Sequence, residues 1–384
     1  MKIVACIDSF KGSLTSQQAG EAVREAAAGL PIHADVEVIP VADGGEGTVH
    51  ALCAATGGRV LRTTVTGPLG YAVEAEYGIL DATKTAVIEM ASAAGLPLVP
   101  EPLRDPMSTT TYGVGELILH VIRTHGCRRF VIGIGGSATN DGGTGMLSAL
   151  GVAFLRADGT PIARCGRGLG ELATICTEGL APELAECQFR IACDVTNPLT
   201  GPNGCSAVYA PQKGADAKTV ALMDAWLARY ADLTHAVCPA ANAAAPGAGA
   251  AGGMGFAFCA YLGGQLLPGV ELILDAAGLD EQIKTADLVI TGEGRMDGQS
   301  CMGKAPMGVA ACAKRHGKPV IGLAGALTRD ADALNGYGID AMFSIVQGPC
   351  TLQEAMDPNT AYANLRATAA QALRLWLCGR GYAL

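Results

Sequence analysis

The sequence lacks the segments by which proteins commonly bind nucleic acids or membranes. It has no run of basic residues and no aromatic residues interleaved with basic ones, and its net charge is −9. This charge balance argues against a nucleic-acid partner. No apolar run reaches about 18 residues, the length of a membrane span, and the short apolar stretch at residues 1–7 is followed at once by Asp8. The chain is therefore expected to be cytoplasmic, with no membrane partner.

The sequence also lacks the cysteine and histidine motifs of disulfide or metal proteins. None of its 14 cysteines forms a C-x-x-C pair, and most lie inside apolar runs, as Cys193 and Cys259 do. The six histidines are scattered. This pattern indicates buried, reduced thiols and argues against a disulfide framework.

The most informative stretch is residues 129–146, an apolar β-type run that leads into a loop with six glycines. Glycine lets backbone N–H groups approach an anion closely, which suits a phosphate-binding loop after a strand. The candidate cofactor-binding residues here are Gly135, Gly136, Ser137 and Asn140. An irregular turn is the alternative interpretation.

The same loop fits a dinucleotide fingerprint, because Gly133, Gly135 and Ala138 match G-x-G-x-x-A and Asp158 lies near the expected ribose-binding position. Each interior glycine costs a helix about 1 kcal/mol relative to alanine. A helix is therefore expected to start only near Thr144 or Met146, too late to point at a pyrophosphate held by Gly133.

Two strand, loop and helix units open the chain. The first strand, residues 2–7, ends at Asp8, Ser9 and Lys11, and the second, residues 35–41, ends at Asp43 and Glu46. Ligands bind at the carboxyl ends of strands in open α/β sheets. Asp43 and Glu46 suit Mg²⁺ or a substrate hydroxyl, or else they only open a turn and favour a helix N-terminus.

Two later loops carry further candidates. A strand at residues 189–193 delivers Asp194 into a loop stiffened by Pro198 and Pro202, which suits a metal ligand or general base as well as a simple Asx-turn. Residues 242–255, which include Gly252 and Gly253, are either a flexible linker or a second glycine loop for anions.

A late strand at residues 287–290 opens into a loop rich in charge. This loop carries Glu293, Arg295 and Asp297, and Lys304 follows just before a helix that starts near Pro306. A lysine near a helix N-terminus is well placed to meet phosphate, although a surface charge cluster is the alternative.

The order of elements predicts an α/β protein with two domains. Apolar and polar residues alternate in residues 63–90, as they do in antiparallel strands, and further strands are predicted at 152–155 and 207–209. The succession of strands and helices seen in residues 1–60 resumes after about residue 285. The simplest architecture is a discontinuous Rossmann-like or flavodoxin-like domain, residues 1–62 and 285–384, with a second α/β domain inserted at 63–284.

Glycine loops, cations and carboxylates at strand ends are the parts that phosphoryl transfer needs, so the residues themselves predict a small-molecule kinase. None of these loops carries a serine nucleophile with a histidine partner or a histidine and cysteine cluster. Two other classes stay open: an NAD-dependent hydroxy-acid dehydrogenase built on the Gly133 loop, and a non-catalytic protein that binds a sugar acid or a nucleotide.

Six segments of the chain resemble the signature segments of the bacterial type 1 glycerate kinases, in the family's order and across almost the whole chain. They begin at Asp8 (DSFKGSL), Ala42 (ADGGEGT), Ile134 (IGGSATNDGG), Cys193 (CDVTNPL), Pro211 (PQKGA) and Thr291 (TGEGRMD). Cys6 and Ile7 stand where the family often has Ala-Pro, a departure with no chemical consequence.

The resemblance implies ATP-dependent, Mg²⁺-assisted phosphorylation of D-glycerate, usually at the 2-hydroxyl, in glyoxylate or sugar-diacid breakdown. Expected partners are D-glycerate and ATP, with a homodimer as a candidate assembly. The hypothetical roles are catalysis for Lys11, Asp194 and Arg295; substrate binding for Asp8, Ser9, Asp43 and Glu46; nucleotide binding for Gly135, Gly136, Ser137, Asn140, Gly252, Gly253 and Lys304; and metal binding for Asp194, Glu293 and Asp297.

Overall fold

The structure, a computed structural model, describes residues 1–42, 44–301 and 304–382. The chain forms two compact units. The first comprises the described parts of residues 1–43, 50–58 and 270–384, and the second comprises residues 44–49 and 59–269. The predicted boundaries at 62 and 285 differ from these, because the first unit also takes in the two helices that precede residue 285.

The described residues form strands β1 Lys2–Ile7, β2 Asp35–Val38, β3 Arg59–Thr66, β4 Ala72–Leu80, β5 Thr85–Glu89, β6 Arg129–Gly133, β7 Ala153–Leu155, β8 Thr174–Cys176, β9 Gln188–Ala192, β10 Gln265–Leu267, β11 Leu288–Met296, β12 Val320–Leu327 and β13 Ala341–Ser344.

The α-helices are α1 Ser16–Ala28, α2 Thr48–Thr56, α3 Ala91–Ala94, α4 Tyr112–His125, α5 Thr144–Ala149, α6 Cys205–Tyr209, α7 Ala217–Val237, α8 Ala250–Leu262, α9 Gly269–Ala276, α10 Leu279–Lys284, α11 Ala305–Arg315, α12 Leu352–Met356 and α13 Pro358–Gly379. Among the described residues, no helix has both the length and the apolar character to cross a bilayer.

The first unit contains a parallel sheet in the order β13-β12-β11-β1-β2. β1 is apolar and buried from Ile3 to Ile7 because both of its faces are covered. Ile3, Ala5 and Ile7 join one core cluster with α1 and α13, whereas Val4 and Cys6 join another with α11. This two-sided burial confirms the predicted α/β class for this unit.

The second unit is built on a six-stranded mixed sheet in the order β10-β9-β6-β5-β4-β3. The pairs β3·β4 and β4·β5 are antiparallel, as the alternation in residues 63–90 predicts, whereas β5, β6, β9 and β10 run parallel. Phe130 of β6 stacks on Phe189 of β9 with ring centroids 4.9 Å apart, in a core that α4 and α8 also cover. A separate pair, β7·β8, is antiparallel.

Two sequence predictions about local structure are wrong. Residues 207–209 lie in helix α6 rather than in a strand, since a short apolar run does not distinguish the two. β11 runs on to Met296 through Gly292 and Gly294, because β12 is equally long and pairs with it up to Leu327. Glu293 and Arg295 therefore lie on a strand and not in a loop.

Candidate active site

A pocket of about 660 Å³ opens in the first unit beside the carboxyl ends of β1, β11 and β12. It gathers residues that lie almost 300 positions apart in the sequence. Six candidate residues line it: Asp8, Ser9, Lys11, Glu293, Arg295 and Lys304. The parallel sheet brings these residues together, because β1 and β11 are neighbouring strands whose carboxyl ends lie at the same edge.

The loop after β1 is tightly held. The Asp8 N–H donates to the carbonyl oxygen of Gly292 at 2.8 Å, and the Ser9 N–H donates to Asp8 Oδ1 at 2.7 Å. Phe10 and Leu14 form a backbone bridge, and Thr15 caps α1 in a capping box with Gln18. These contacts fix the loop and leave the Lys11 side chain exposed at the pocket.

Glu293 is one of two buried acids that line this pocket, with 8 % of its surface exposed; Asp8, at 7 %, is the other. Glu293 Oε1 accepts a hydrogen bond from Ser300 Oγ at 2.7 Å, and its Oε2 accepts one from Lys304 Nζ at 3.1 Å. Burial raises the pKa of the Glu293 carboxyl, while the Ser300 and Lys304 contacts act against that rise. Lys304 immediately precedes α11, whose first turn contains Pro306 as predicted.

Ser300 links Glu293 to a further acid, Asp297, which follows β11. Ser300 Oγ lies 3.4 Å from Asp297 Oδ1, and the Asp297 N–H donates to Ser300 Oγ at 3.1 Å. Arg295 Nε lies 3.4 Å from Asp297 Oδ2, while the Arg295 side chain is two-thirds exposed. Two carboxylates around one hydroxyl are an oxygen-only donor set, which fits a hard cation such as Mg²⁺.

The glycine loop of the second unit is fixed by backbone hydrogen bonds to two other segments. Leu96 N–H donates to the Gly136 carbonyl at 2.9 Å, and Gly142 N–H donates to the Gly252 carbonyl at 2.9 Å. Gly135 and Gly136 are exposed, and Gly136 has a φ of +73°, which glycine adopts without strain. Helix α5 starts at Thr144, as the interior glycines predict.

Asp141 lies beneath this loop, and the sequence analysis did not single it out. It is fully buried, and its carboxylate accepts hydrogen bonds from the Thr111 N–H at 2.9 Å, Thr111 Oγ1 at 2.8 Å and the Gly143 N–H at 3.1 Å. Burial raises the pKa of the Asp141 carboxyl, and these hydrogen bonds oppose the rise. The only signal in the sequence was an acid in the middle of a glycine run. Such an acid usually accepts hydrogen bonds from backbone N–H groups of its own loop.

Lys213 is a second residue that the sequence analysis left without a role, although it lies in one of the resembling segments. Its ammonium group is buried and donates to Ser137 Oγ at 2.8 Å and to the Thr139 carbonyl at 2.6 Å. Burial lowers the pKa of Lys213 to about 8.

Asn140, Gly252 and Gly253 support the loop from the interior. Asn140 is fully buried and donates from Nδ2 to Ser206 Oγ at 2.9 Å. Gly252 and Gly253 are buried at positive φ, and a Cβ on Gly252 would lie 2.1 Å from the Thr139 carbonyl oxygen. Because it is packed in this way, the segment around Gly252 is not a flexible linker.

The remaining candidates occupy exposed loops or fall outside the described residues. Asp194 follows β9, is exposed, and accepts a hydrogen bond at Oδ1 from the Gly269 N–H at 2.8 Å. Glu46 is exposed in the turn before α2. Asp43 lies outside the described residues.

The structure removes the basis of the dinucleotide interpretation. A ribose-binding acid should follow the strand next to β6, yet Asp158 lies in an exposed turn after β7, which belongs with β8 to a separate two-stranded sheet. Its Oδ1 accepts a hydrogen bond from the Thr160 N–H at 2.9 Å and so stabilises the turn.

A parallel sheet with cations and carboxylates gathered at its carboxyl edge, together with a rigid glycine loop, defines the class of α/β phosphotransferases. The sequence matches the glycerate kinase family over residues 3–377, and the chain belongs to that family. It is 48% identical to the glycerate 2-kinase of Escherichia coli K12 over 95% of both chains, and 46% identical to the glycerate kinase of Bacillus subtilis 168 over 94% of both.

A solved structure supports the same relationship. The crystal structure assigned to glycerate kinase 2 of Salmonella typhimurium LT2 is 46% identical in sequence and superposes with a TM-score of 0.91, covering 100% of both chains. The family match and this similarity confirm the resemblance on which the sequence analysis relied.

Proposed function

We propose that this protein transfers the γ-phosphoryl group of ATP to the 2-hydroxyl of D-glycerate. The observation that carries the proposal is the first-unit pocket, where Lys11, Arg295 and Lys304 face the acids Asp8 and Glu293. An anionic substrate needs cations for binding, and phosphoryl transfer needs carboxylates for a metal ion. The Escherichia coli relative, named for phosphorylation at position 2, supports the regiochemistry.

Glycerate carries one carboxylate and two hydroxyls, so its site must combine cations with hydrogen-bonding groups. Lys11 and Arg295 supply positive charge in the pocket, and Ser9 offers a hydroxyl beside Asp8. We assign the glycerate carboxylate, or the phosphoryl group in transfer, to Lys11 and Arg295. The substrate roles of Glu46 and Asp43 rest on the sequence alone.

The glycine loop is the proposed nucleotide-binding element. The exposed backbone at Gly135 and Gly136 suits hydrogen bonds to phosphate oxygens, and Ser137 is held by Lys213. Asn140, Gly252 and Gly253 are buried, so their contribution is to support the backbone of this loop. The nucleotide role of Lys304, which lies ahead of α11 in the first unit, rests on the sequence alone.

Glu293 and Asp297 are the proposed carboxylates for Mg²⁺ in the first unit, and the metal role of Asp194, which lies in the second unit, rests on the sequence alone. When bound, the ion neutralises charge on the phosphates during transfer. Lys304 Nζ donates to Glu293 Oε2 and balances the charge of this buried carboxylate. Asp194 is in addition the proposed general base that accepts the proton of the acceptor hydroxyl.

A coupled assay for ADP with D-glycerate and Mg-ATP tests the activity, and phosphorus NMR of the product distinguishes 2-phosphoglycerate from 3-phosphoglycerate. ADP release that depends on glycerate, with 2-phosphoglycerate as product, supports the proposal. Release without glycerate, or a change in nicotinamide absorbance with a hydroxy acid, contradicts it. Binding without turnover identifies a non-catalytic protein instead.

A cytoplasmic location and a homodimer are further proposals that rest on the sequence. Cell fractionation tests the first. Light scattering of the purified full chain tests the second, with twice the mass of the 39.0 kDa chain as the expected result.

A further inference from the structure

The first unit contains a cluster of metal-binding side chains away from the pocket. Cys312 lies in α11, His316 follows it by four residues just after the helix ends, and Asp280 belongs to the first turn of α10. One ligand atom of each of the three residues lies within 4.8 Å of the others. None of the three lines the pocket described above.

The geometry of His316 suggests more than a simple ion pair. Its Nε2 lies 3.0 Å from Asp280 Oδ1, but this buried nitrogen has no hydrogen-bond partner with suitable angles. Cys312 Sγ lies 3.5 Å from the same carboxylate oxygen. A buried ring nitrogen near a carboxylate and a thiol that forms no hydrogen bond calls for an explanation. The three groups are placed as they would be if all of them bound one metal ion.

The types of donor select the cation. Thiolate and imidazole together suit Zn²⁺ and related borderline-soft ions, whereas Mg²⁺ and Ca²⁺ prefer oxygen donors only. Residues four apart meet on one face of a helix, so Cys312 and His316 can chelate one ion, and a carboxylate from α10 completes three protein ligands. Zinc sites with three protein ligands take water at the fourth position.

We propose that Asp280, Cys312 and His316 form a binding site for Zn²⁺ on the first unit. Binding converts the Cys312 thiol to a thiolate, which bonds to the metal while the displaced proton passes to solvent. Because the thiol must lose its proton to bind the ion, affinity is expected to increase with pH.

Arg315 competes with a metal ion for the carboxylate of Asp280. Its Nη2 donates to Asp280 Oδ1 at 3.1 Å, on the carboxylate oxygen that also faces His316 and Cys312. Removing the guanidinium should therefore free the carboxylate and tighten metal binding. A site that does not involve Asp280 would show no such response.

The test uses Co²⁺ and Zn²⁺ titrations of the full chain in excess Mg²⁺, which occupies oxygen-donor sites. In wild type, Co²⁺ should produce a thiolate-to-cobalt absorption band that one equivalent of Zn²⁺ removes. Cys312→Ser should abolish the band, and Asp280→Asn and His316→Gln should weaken binding at least about tenfold. Arg315→Ala should strengthen it.

Cys378→Ser is the matched control, because Cys378 is an exposed free thiol elsewhere in the first unit; this variant should keep the band. Circular dichroism checks that each variant is folded, and Asp280→Asn changes an exposed side chain, so it tests the site even if Cys312→Ser unfolds. The proposal is overturned if wild type gives no band, or if folded Cys312→Ser or Asp280→Asn binds as wild type does.

Discussion

Lys213 Nζ lies 2.8 Å from Ser137 Oγ, so a buried ammonium group holds the glycine loop of the second unit. The same group donates to the Thr139 carbonyl at 2.6 Å. Burial of a lysine is costly unless its donors are satisfied, and here two of its three N–H groups have partners in one loop. Lys213 therefore positions the backbone of the loop that we propose binds the nucleotide.

The first prediction concerns the pH dependence of stability. Burial lowers the pKa of Lys213 to about 8 in the folded protein, against 10.5 for an exposed lysine, so the unfolded chain binds more protons between these values. Burying the charged lysine lowers the unfolding free energy by its full amount below pH 8. This loss, on the order of 3 kcal/mol, disappears as the pH rises toward about 10.5. Stability should thus rise with pH in this window.

Urea unfolding of wild type and Lys213→Met at pH 7 and 9.5 isolates this contribution. Buried thiols with raised pKa values lower the stability as pH rises, but they do so in both proteins, so the difference between the two proteins reports Lys213. Wild type should gain about 2 kcal/mol of unfolding free energy relative to the variant between the two pH values. An equal pH response in both proteins would remove Lys213 as the cause.

The second prediction concerns Asp194. Asp194→Ala should lower turnover at least about a hundredfold, a typical scale for a general base. Asp194→Asn serves as the control for shape, because its amide oxygen can still accept the hydrogen bond that the Gly269 N–H donates to Oδ1. If the carboxylate acts chemically, both variants lose turnover; near-normal kcat in folded Asp194→Ala contradicts the role.

The third prediction concerns the glycine loop. Gly136→Val should weaken ATP binding more than glycerate binding, because a β-branched residue is strained at a φ of +73° and shifts the exposed loop backbone. Gly135→Ala is the milder control, since its φ is not positive and its Cβ would approach other atoms no closer than 3.7 Å. Calorimetric titration with each ligand gives both affinities. An effect on glycerate alone would assign the loop to the acceptor.

The fourth prediction concerns Ser300, which is buried and links two proposed metal ligands. Ser300→Ala removes the hydroxyl shared by Glu293 and Asp297, so the Mg²⁺ concentration for half-maximal activity should rise about tenfold or more. Ser108→Ala is the matched control, because Ser108 also donates to an aspartate, Asp105, but in the second unit. An unchanged Mg²⁺ requirement in Ser300→Ala would show that these carboxylates do not hold the ion.

Local patterns predicted much of the fold because they depend on neighbouring residues only. The apolar run that became β1, the alternation that became β3 and β4, and the delayed start of α5 at Thr144 all follow from side-chain spacing and glycine propensity. The same patterns failed at residues 207–209, which are helical. They also failed at the end of β11, because pairing with β12 extends this strand beyond the point that the local sequence indicates.

By itself, the sequence determined which strand-end loops carry charge and glycine, and it determined the family through six ordered segments. Only the tertiary structure decided which of these residues meet. The parallel pairing of β1 with β11 brings Asp8 and Lys11 into one pocket with Glu293 and Arg295. Burial of Lys213 and Asp141, and the approach of Asp280 to Cys312 and His316, likewise depend on contacts distant in sequence, which no local spacing encodes.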